Sequence, residues 1–325
     1  MFLCYHGFEN ASILARVIDD PLKSVISSWL GKMSNENVPD YFDIFQRNIG
    51  IFTRDEQLYL KNSIVLIAGV GGVGGPSAMT LARMGIGRLI LADLDAYSVS
   101  NLNRQMPSRW QDLGRLKTDV VASAIRDIHP YVSVLTVDEG ITKRNADELV
   151  EESDVVITSM DGCMTMVLQQ ALKAHKTMGL TASPMLDTVI ATCFPPDGNY
   201  LSDIYPFEVD ENDLETGNRM YYAWVELMTK EKEIFRRGYF PVTSAGTVLA
   251  AGLIGFHVAN YIARRKLLFP AFPANKVFDA RTMSMKTKHR IARLLFAAFR
   301  FFPFARELFV RRIKSRVERK LAASH

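Results

Sequence analysis

The chain has 325 residues, 48% apolar and 23% charged, which allows a sizeable core and excludes a disordered or fibrous protein. Its net charge of +4 is uneven: Arg281 to His325 holds 13 Lys and Arg against 2 Asp and Glu, and everything before it holds 26 against 33. The body is mildly acidic and only the end is basic, so overall charge gives no ground for a nucleic-acid-binding body.

The opening residues show no basic flank, long apolar run or small-residue cleavage site, so secretion is not expected. Residues 1–44 read as an N-terminal extension, residues 45–280 as one α/β domain and residues 281–325 as a basic tail. Ile64 to Ala68 is a short, continuous apolar run of the kind a parallel strand covered on both faces requires. A glycine-rich turn follows, and Pro76 to Arg83 predicts a helix opening. Further strands are predicted at Leu89 to Ala92, Val132 to Val137, Val155 to Thr158, Met178 to Ala182 and Val189 to Phe194. Helices are predicted at Lys117 to Ile128, Ala146 to Glu151 and Met164 to His175. This alternation describes a doubly wound, Rossmann-like and mostly parallel sheet with helices on both faces, running on into a mixed or antiparallel extension. Residues 205–240 lose the rhythm and read as an exposed acidic loop or partly helical insert over the carboxyl edge of the sheet. Pro241 to Ala263 carries no charged residue over 23 positions. Its small residues favour a buried core helix over a membrane span.

The segment Gly69-Val-Gly71-Gly72-Val-Gly74-Gly75 lies between strand and helix, the context in which such a turn cradles phosphate. Asp93, at the end of the second strand, stands where a carboxylate accepts hydrogen bonds from a ribose. Hydride transfer from NAD and nucleotidyl transfer from ATP share this signature. Asn101, Arg104, Gln105 and Lys117 crowd polar and cationic groups directly after the ribose strand, which suits a triphosphate better than a dinucleotide.

In order and spacing, the glycine segment, Asp93-Leu-Asp95, Asn101-Leu-Asn-Arg-Gln105, Gly114-Arg-Leu-Lys117 and Ser159-Met-Asp161 resemble the ThiF/MoeB/HesA superfamily of ubiquitin-activating-type adenylyltransferases. The resemblance runs from about Phe45 to Ala263. It implies activation of a carboxylate by Mg-ATP as an acyl adenylate, with release of pyrophosphate. It assigns Gly69, Gly71, Gly72 and Gly74 to the phosphates, Asp93 to the ribose with Asp95 nearby, and Asp161 to magnesium, with capping of the next helix as that residue's other reading. Asn101, Arg104 and Lys117 would neutralise the developing charge. Phe45-Gln-Arg47-Asn-Ile-Gly50 resembles the segment whose arginine reaches the ATP of a second subunit, which implies a homodimer.

Three cysteines, Cys4, Cys163 and Cys193, form no Cys-x-x-Cys pair, so the structural zinc of many relatives is not expected and a reducing, cytoplasmic setting fits. Cys193 reads as a packing residue in a strand. Cys163 does too, although the predicted helix start beside it would lower a thiol pKa. His129 reads as a helix-end cap, His175 as solvent-facing and His257 as a satisfied core histidine. In the tail, Phe, Leu, Ile and Val recur at helical spacing among arginines and lysines. This pattern suits an anionic membrane surface, an acidic partner or docking on the acidic body, and an RNA contact is disfavoured because no aromatic platform accompanies the charge.

The expected activity is adenylation of a protein or peptide carboxylate, such as the C-terminus of a ubiquitin-like or sulfur-carrier protein or a precursor peptide. The alternatives are a dehydratase-like relative acting on a tRNA-bound or small carboxylate, an NAD-dependent oxidoreductase, and a nucleotide-binding adaptor without catalysis.

Overall fold

The structure, a computed structural model, describes residues 39–229, 241–288, 296, 299 and 302–322. It forms two units, Met1–Ile44 and Phe45–His325. The described part of the first includes the short helix Tyr41–Ile44.

The second unit is built on eight strands: β1 (Ile64–Ala68), β2 (Arg88–Ala92), β3 (Ser133–Val137), β4 (Val155–Thr158), β5 (Met178–Met185), β6 (Thr188–Phe194), β7 (Asn275–Asp279) and β8 (Ser284–Lys288). They form one sheet in the order β3-β2-β1-β4-β5-β6-β7-β8. β1 to β5 are mutually parallel, and β5 to β8 pair antiparallel. The change of direction follows from the connections. Helical crossovers keep strands parallel, whereas Leu186 and Asp187 alone join β5 to β6, and so short a link reverses the chain.

The helices are α1 (Arg54–Lys61), α2 (Gly74–Met84), α3 (Lys117–Arg126), α4 (Ala146–Glu151), α5 (Met164–His175), α6 (Leu214–Thr229), α7 (Ser244–Ile262) and α8 (Pro303–Ala322). Side chains alternate across a strand. Val65, Ile67, Leu89, Leu91, Val155 and Ile157 pack with α1, α2, α3 and α7, while Leu66, Ala68, Ile90, Ala92 and Val156 pack with α4, α5, α6 and α8. Both faces are covered, which is why β1, β2 and β4 are apolar at successive positions.

The sequence places β1, β4, α4 and α5 to the residue and shifts other boundaries. α2 begins at Gly74, two residues before the expected start, because the last glycines of the loop already turn as helix. α3 ends at Arg126 rather than Ile128. β5 runs on to Met185, although Pro184 lacks a ladder donor. β4 pairs only as far as Leu180, so residues 181–185 need hydrogen bonds on the β6 side alone.

Larger differences concern the insert and the tail. Of the two readings of residues 205–240, exposed loop or partly helical insert, the structure shows the second: α6 occupies Leu214–Thr229 and buries Ala223 and Trp224 with Tyr205 and Val209. The segment is therefore a packed helix with an acidic approach; residues 230–240 lie outside the described ones. α7 is long and apolar enough to cross a membrane by composition, yet it buries Ala250, Ala251, Ile254, Val258 and Ala259 against α2 and the antiparallel strands. Ser284–Lys288, at the start of the expected tail, completes the sheet. α8 packs on α6 through Ile313 and Val317, whereas the tail stripe at 291, 294, 295, 298 and 301 lies outside the described residues.

Candidate active site

In this strand order the chain turns back between β1 and β4, and a crevice opens where their carboxyl ends diverge. The glycine loop after β1 forms one wall and residues 159–162 after β4 form the other. Ser159 joins them, since its Oγ lies 2.6 Å from the Gly69 carbonyl. The glycines divide by what surrounds them. A methyl on Gly74 would fall 1.8 Å from the Gly69 carbonyl oxygen, and one on Gly69, at φ +86°, would fall 2.6 Å from that of Ser159. At Gly71 and Gly72 the nearest atoms belong to side chains, Gln105 at 3.4 Å and Thr247 at 3.2 Å. Gly69 and Gly74 are thus required by backbone packing, whereas Gly71 and Gly72 face side chains that can yield.

Asp93 lies beneath the loop. Its Oδ2 accepts from the Val70 N–H at 2.8 Å and its Oδ1 from the Asp95 N–H at 2.9 Å. Burial raises its pKa, opposed by the positive charge of Lys117. Lys117 is the first residue of α3, where the helix dipole disfavours a cation. Two carboxylates hold it there: Nζ is 2.7 Å from Asp95 Oδ2 and 3.9 Å from Asp93 Oδ1. The approach to α3 is fixed by an antiparallel bridge of Ala96 to Leu116 and by the Lys117 N–H bonded to the Asp95 carbonyl at 3.0 Å. A buried lysine set against its helix dipole is poor local design, and such local conflicts concentrate at functional sites.

Arg104 runs along the loop, its Cγ 3.7 Å from where a Gly72 methyl would be. Its guanidinium donates to the Ser100 carbonyl and to Asn103 Oδ1, both at 2.8 Å. Asn101 has a local task, its Oδ1 accepting from the Ser98 N–H. Gln105 is buried against Gly71, and its Oε1 has no partner among the described residues.

Asp161 completes the group. Its side chain keeps exposed surface, yet burial of the carboxyl raises its pKa; Arg104 and then Lys117 oppose the shift, and Asp95 adds to it. These three charged groups and Asp161 therefore act on one another across the crevice. The capping reading of Asp161 is corrected, because the Cys163 N–H at the start of α5 is bonded to Asn218 Oδ1 of α6 at 2.9 Å. Gly162, at φ +92°, lets this approach occur, since a methyl there would lie 2.4 Å from the same oxygen. The Cys163 thiol is buried and its pKa raised, so desolvation outweighs the helix start expected to lower it.

Arg47 is not brought to this crevice. It is exposed in a short 3₁₀ turn whose neighbour Asn48 donates to the Met84 carbonyl, at the far end of α2 from the glycine loop, a helix length of ~16 Å away. Cys193 is buried in β6, as expected. His129 caps a helix end, that of α2: its Nε2 lies 2.9 Å from the Ala82 carbonyl in the last turn of α2, and its ring meets Phe45 edge-on. His175 pairs with Asp147, and His257, buried and held neutral by desolvation, accepts from the Phe269 N–H at Nδ1 while its Nε2 lacks a partner among the described residues.

Four residues at the site escape sequence reasoning. Thr247 of α7 donates to the Arg104 carbonyl and faces Gly72. Asn218 caps α5, and Tyr221 and Tyr222 of the same helix α6 feel the charge of Asp161, which together with burial raises their phenol pKa values. Each arrives from a segment distant in sequence, and a change of polarity around Leu214 is the only local signal.

The residues present fit a magnesium nucleotide. Gly71 and Gly72 leave the loop free of Cβ atoms on their side-chain-facing surface, and buried Gln105 offers an unpartnered oxygen. Among the described residues no cluster of three or more His, Cys, Asp or Glu could hold a metal. A single carboxylate such as Asp161 suits magnesium, which commonly takes one or two protein carboxylates and completes its shell with phosphate and water.

The chain has relatives among known proteins. The chain is 36% identical over 116 residues to the tRNA threonylcarbamoyladenosine dehydratase of Haemophilus influenzae, a stretch covering 35% of this chain and 44% of that protein. It is 38% identical over 109 residues to the SAMP-activating enzyme E1 of Haloferax volcanii, covering 34% and 40% of the two chains. Adenylyltransferase and sulfurtransferase MOCS3 of Aedes aegypti is 33% identical over 140 residues, or 43% and 31%. The matched stretches thus span less than half of each of these relatives. In fold, the chain is similar to E. coli MccB crystallised with AMPCPP and MccA, with a TM-score of 0.61 and 19% identity over 86% of this chain and 81% of that one. PaaA gives a TM-score of 0.59 and 19% identity over 86% and 85%. The ThiF family model matches residues 45–293, the stretch that carries the loop, the cations and Asp161, and the chain belongs to the ThiF family.

Proposed function

We propose that the protein is an ATP-dependent adenylyltransferase that activates a carboxylate on a protein or peptide. The observation that carries this reading is the placement of Lys117 on Asp95 and Asp93, at 2.7 and 3.9 Å, and of Arg104 along Gly72, beside the glycine loop and the Ser159–Asp161 turn. Asp93 and Gln105 would hold the nucleoside and Gly71 and Gly72 the phosphates. Arg104, once turned from Ser100 and Asn103, and Lys117 would lower the energy of charge gathering on the phosphates. Asp161 would hold magnesium, which when bound supplies further charge neutralisation. A carboxylate oxygen of the substrate bonds to the α-phosphorus, the bond from that phosphorus to the bridging oxygen breaks, and the electron pair leaves with pyrophosphate. Cys163 and Cys193 are buried with raised thiol pKa values, which argues against either of them as the acyl acceptor.

The relatives support this class. One is a SAMP-activating E1, one an adenylyltransferase and sulfurtransferase, and MccB has been crystallised with an ATP analogue and MccA. Exchange of labelled pyrophosphate into ATP, dependent on a candidate carrier or precursor peptide, tests it; a protein that binds ATP but shows no exchange with any carboxylate would be an adaptor. The likeness to a tRNA-modifying dehydratase favours a second reading, in which the same adenylation acts on a carboxylate carried by tRNA and is followed by internal dehydration. Substituting modified tRNA for peptide in the same assay distinguishes the two.

We further propose a homodimer in which Arg47 serves the second subunit's nucleotide. Arg47 is exposed and remote from its own crevice. α7 leaves Val248 and Phe256 exposed on an uncharged outer face, and the Gly252 backbone lies open between them.

A further inference from the structure

The docking of α8 on the body uses only part of that helix. Ile313 and Val317 turn inward, Arg306 reaches the Asp203 carbonyl at 2.9 Å, and Lys320 pairs with Glu226 of α6. At 100° per residue, Phe304, Leu308, Arg312 and Arg319 fall on the opposite side, within about one quarter of the helix circumference, and Arg316 flanks them. Phe304 is 76% exposed and Leu308 44%, and Phe302, just before the helix, is 65% exposed. Among the described residues no carboxylate pairs with Arg312, Arg316 or Arg319; the Nε of Arg319 bonds only to the Ser315 carbonyl in its own helix. Of the two acids in the helix, Glu307 is taken up by Arg311. The outer side of α8 is therefore a ridge with an apolar tip at its start and unpaired guanidinium groups along its shaft, ~22 Å from Phe304 to Arg319.

We propose that this ridge is a docking surface for an anionic lipid bilayer. Two observations select that occupant. The guanidinium groups match lipid phosphates and carboxylates in charge, and exposed Phe304 and Leu308 continue the same line, with Phe302 exposed just before the helix, where an interface gives aromatic rings a place to enter. A polar acidic protein would leave Phe302 and Phe304 in water, and an extended nucleic acid would meet cations without rings interleaved among them. The charge of the whole chain points the same way. The residues before Arg281 carry 26 Lys and Arg against 33 Asp and Glu, so an anionic surface repels the body and attracts the end, which orients the molecule with α8 toward the lipid. Because the buried stripe of α8 stays on α6, binding requires no undocking.

The test uses the full-length protein and flotation with vesicles of phosphatidylcholine alone or mixed with phosphatidylserine. Recovery is expected with the mixed vesicles only and is lost at high salt. Each cation removed should weaken partition about fivefold. The triple variant Arg312→Gln, Arg316→Gln and Arg319→Gln should therefore bind about a hundredfold more weakly, and Phe302→Ser with Phe304→Ser should weaken binding without changing its salt dependence. All five side chains are exposed, so unchanged thermal melting is expected and separates lost binding from lost fold. Equal recovery on both kinds of vesicle, undiminished binding by the triple variant, or retention by single-stranded RNA in place of anionic vesicles would overturn the assignment.

Discussion

Asp161 occupies surroundings that disfavour its own charge, and this makes it testable apart from any substrate. Its folded pKa lies above the ordinary 3.8, chiefly through burial of the carboxyl, and although the exposed surface of Asp161 screens the effect, ionisation above that range costs the folded state somewhat more than the unfolded one. The penalty is absent below the unfolded value, appears as pH rises from there, and is fully present above the folded value. Asp161→Asn should therefore raise the melting temperature at neutral pH and change it little near pH 3, while lowering pyrophosphate exchange by about 10²-fold or more. A variant that loses stability at neutral pH would show that Asp161 is held for structure. The glycines give a second contrast. Gly74→Ala drives a methyl to 1.8 Å from the Gly69 carbonyl oxygen, and the protein should fail to fold or melt far below the parent. Gly71→Ala meets only the end of Gln105 at 3.4 Å. It should melt within a few degrees of the parent yet bind ATP at least tenfold more weakly by calorimetry; equal affinity would remove the loop from the phosphates.

α6 is the element that joins the crevice to the rest of the molecule. Asn218 holds the start of α5 beside Asp161, and two turns later Glu226 receives Lys320 from α8. Glu226 is buried while Lys320 is about one-third exposed, so solvent screens the pair and its loss should fall below that of a fully buried ion pair. Lys320→Ala should destabilise by about 1–2 kcal/mol in urea titration, and Glu226→Gln in that background should restore most of it, because the unpaired buried charge is then gone. If the double variant is as unstable as the two single losses added together, the residues act separately. This arrangement was not legible in the sequence, and the reason is physical. β1, β4 and α5 announce themselves because each is a short apolar or periodic run closed by turn residues. α6 is preceded by Glu208, Asp210, Glu211 and Asp213 and opens with polar residues, so its amphipathic part, Tyr221 to Trp224, sits inside a stretch whose average is that of a loop. The candidate site divides in the same way. The glycines, Asp93, Arg104, Lys117 and Asp161 stand out as chemistry at strand ends, but the Asn218 bond spans 55 positions, and only the fold brings its ends together.

At the scale of the whole molecule, the role proposed for Arg47 sets a requirement on assembly. The far end of α2 separates it from the glycine loop of its own chain, so any service to a nucleotide must cross to a second copy. A twofold dimer returns the same relation in both directions, which gives two equivalent sites, each built from both chains. Arg47→Ala and Lys117→Ala should then each lower exchange as homodimers, for different reasons: the first removes a cation from the neighbouring site, and the second removes one from its own. In a mixed dimer the two losses fall on the same site, because the Arg47→Ala chain fails to complete the nucleotide site of the Lys117→Ala chain. The other site keeps both cations. Random exchange of equal amounts makes about half the dimers mixed, and each has one intact site of two, so activity should recover to about one quarter of the parent. Recovery should appear on mixing only as fast as subunits exchange, and Phe256→Asp on the outer face of α7 should block it together with dimerisation in sedimentation. No recovery from a mixture shown to contain mixed dimers would place Arg47 outside the chemistry.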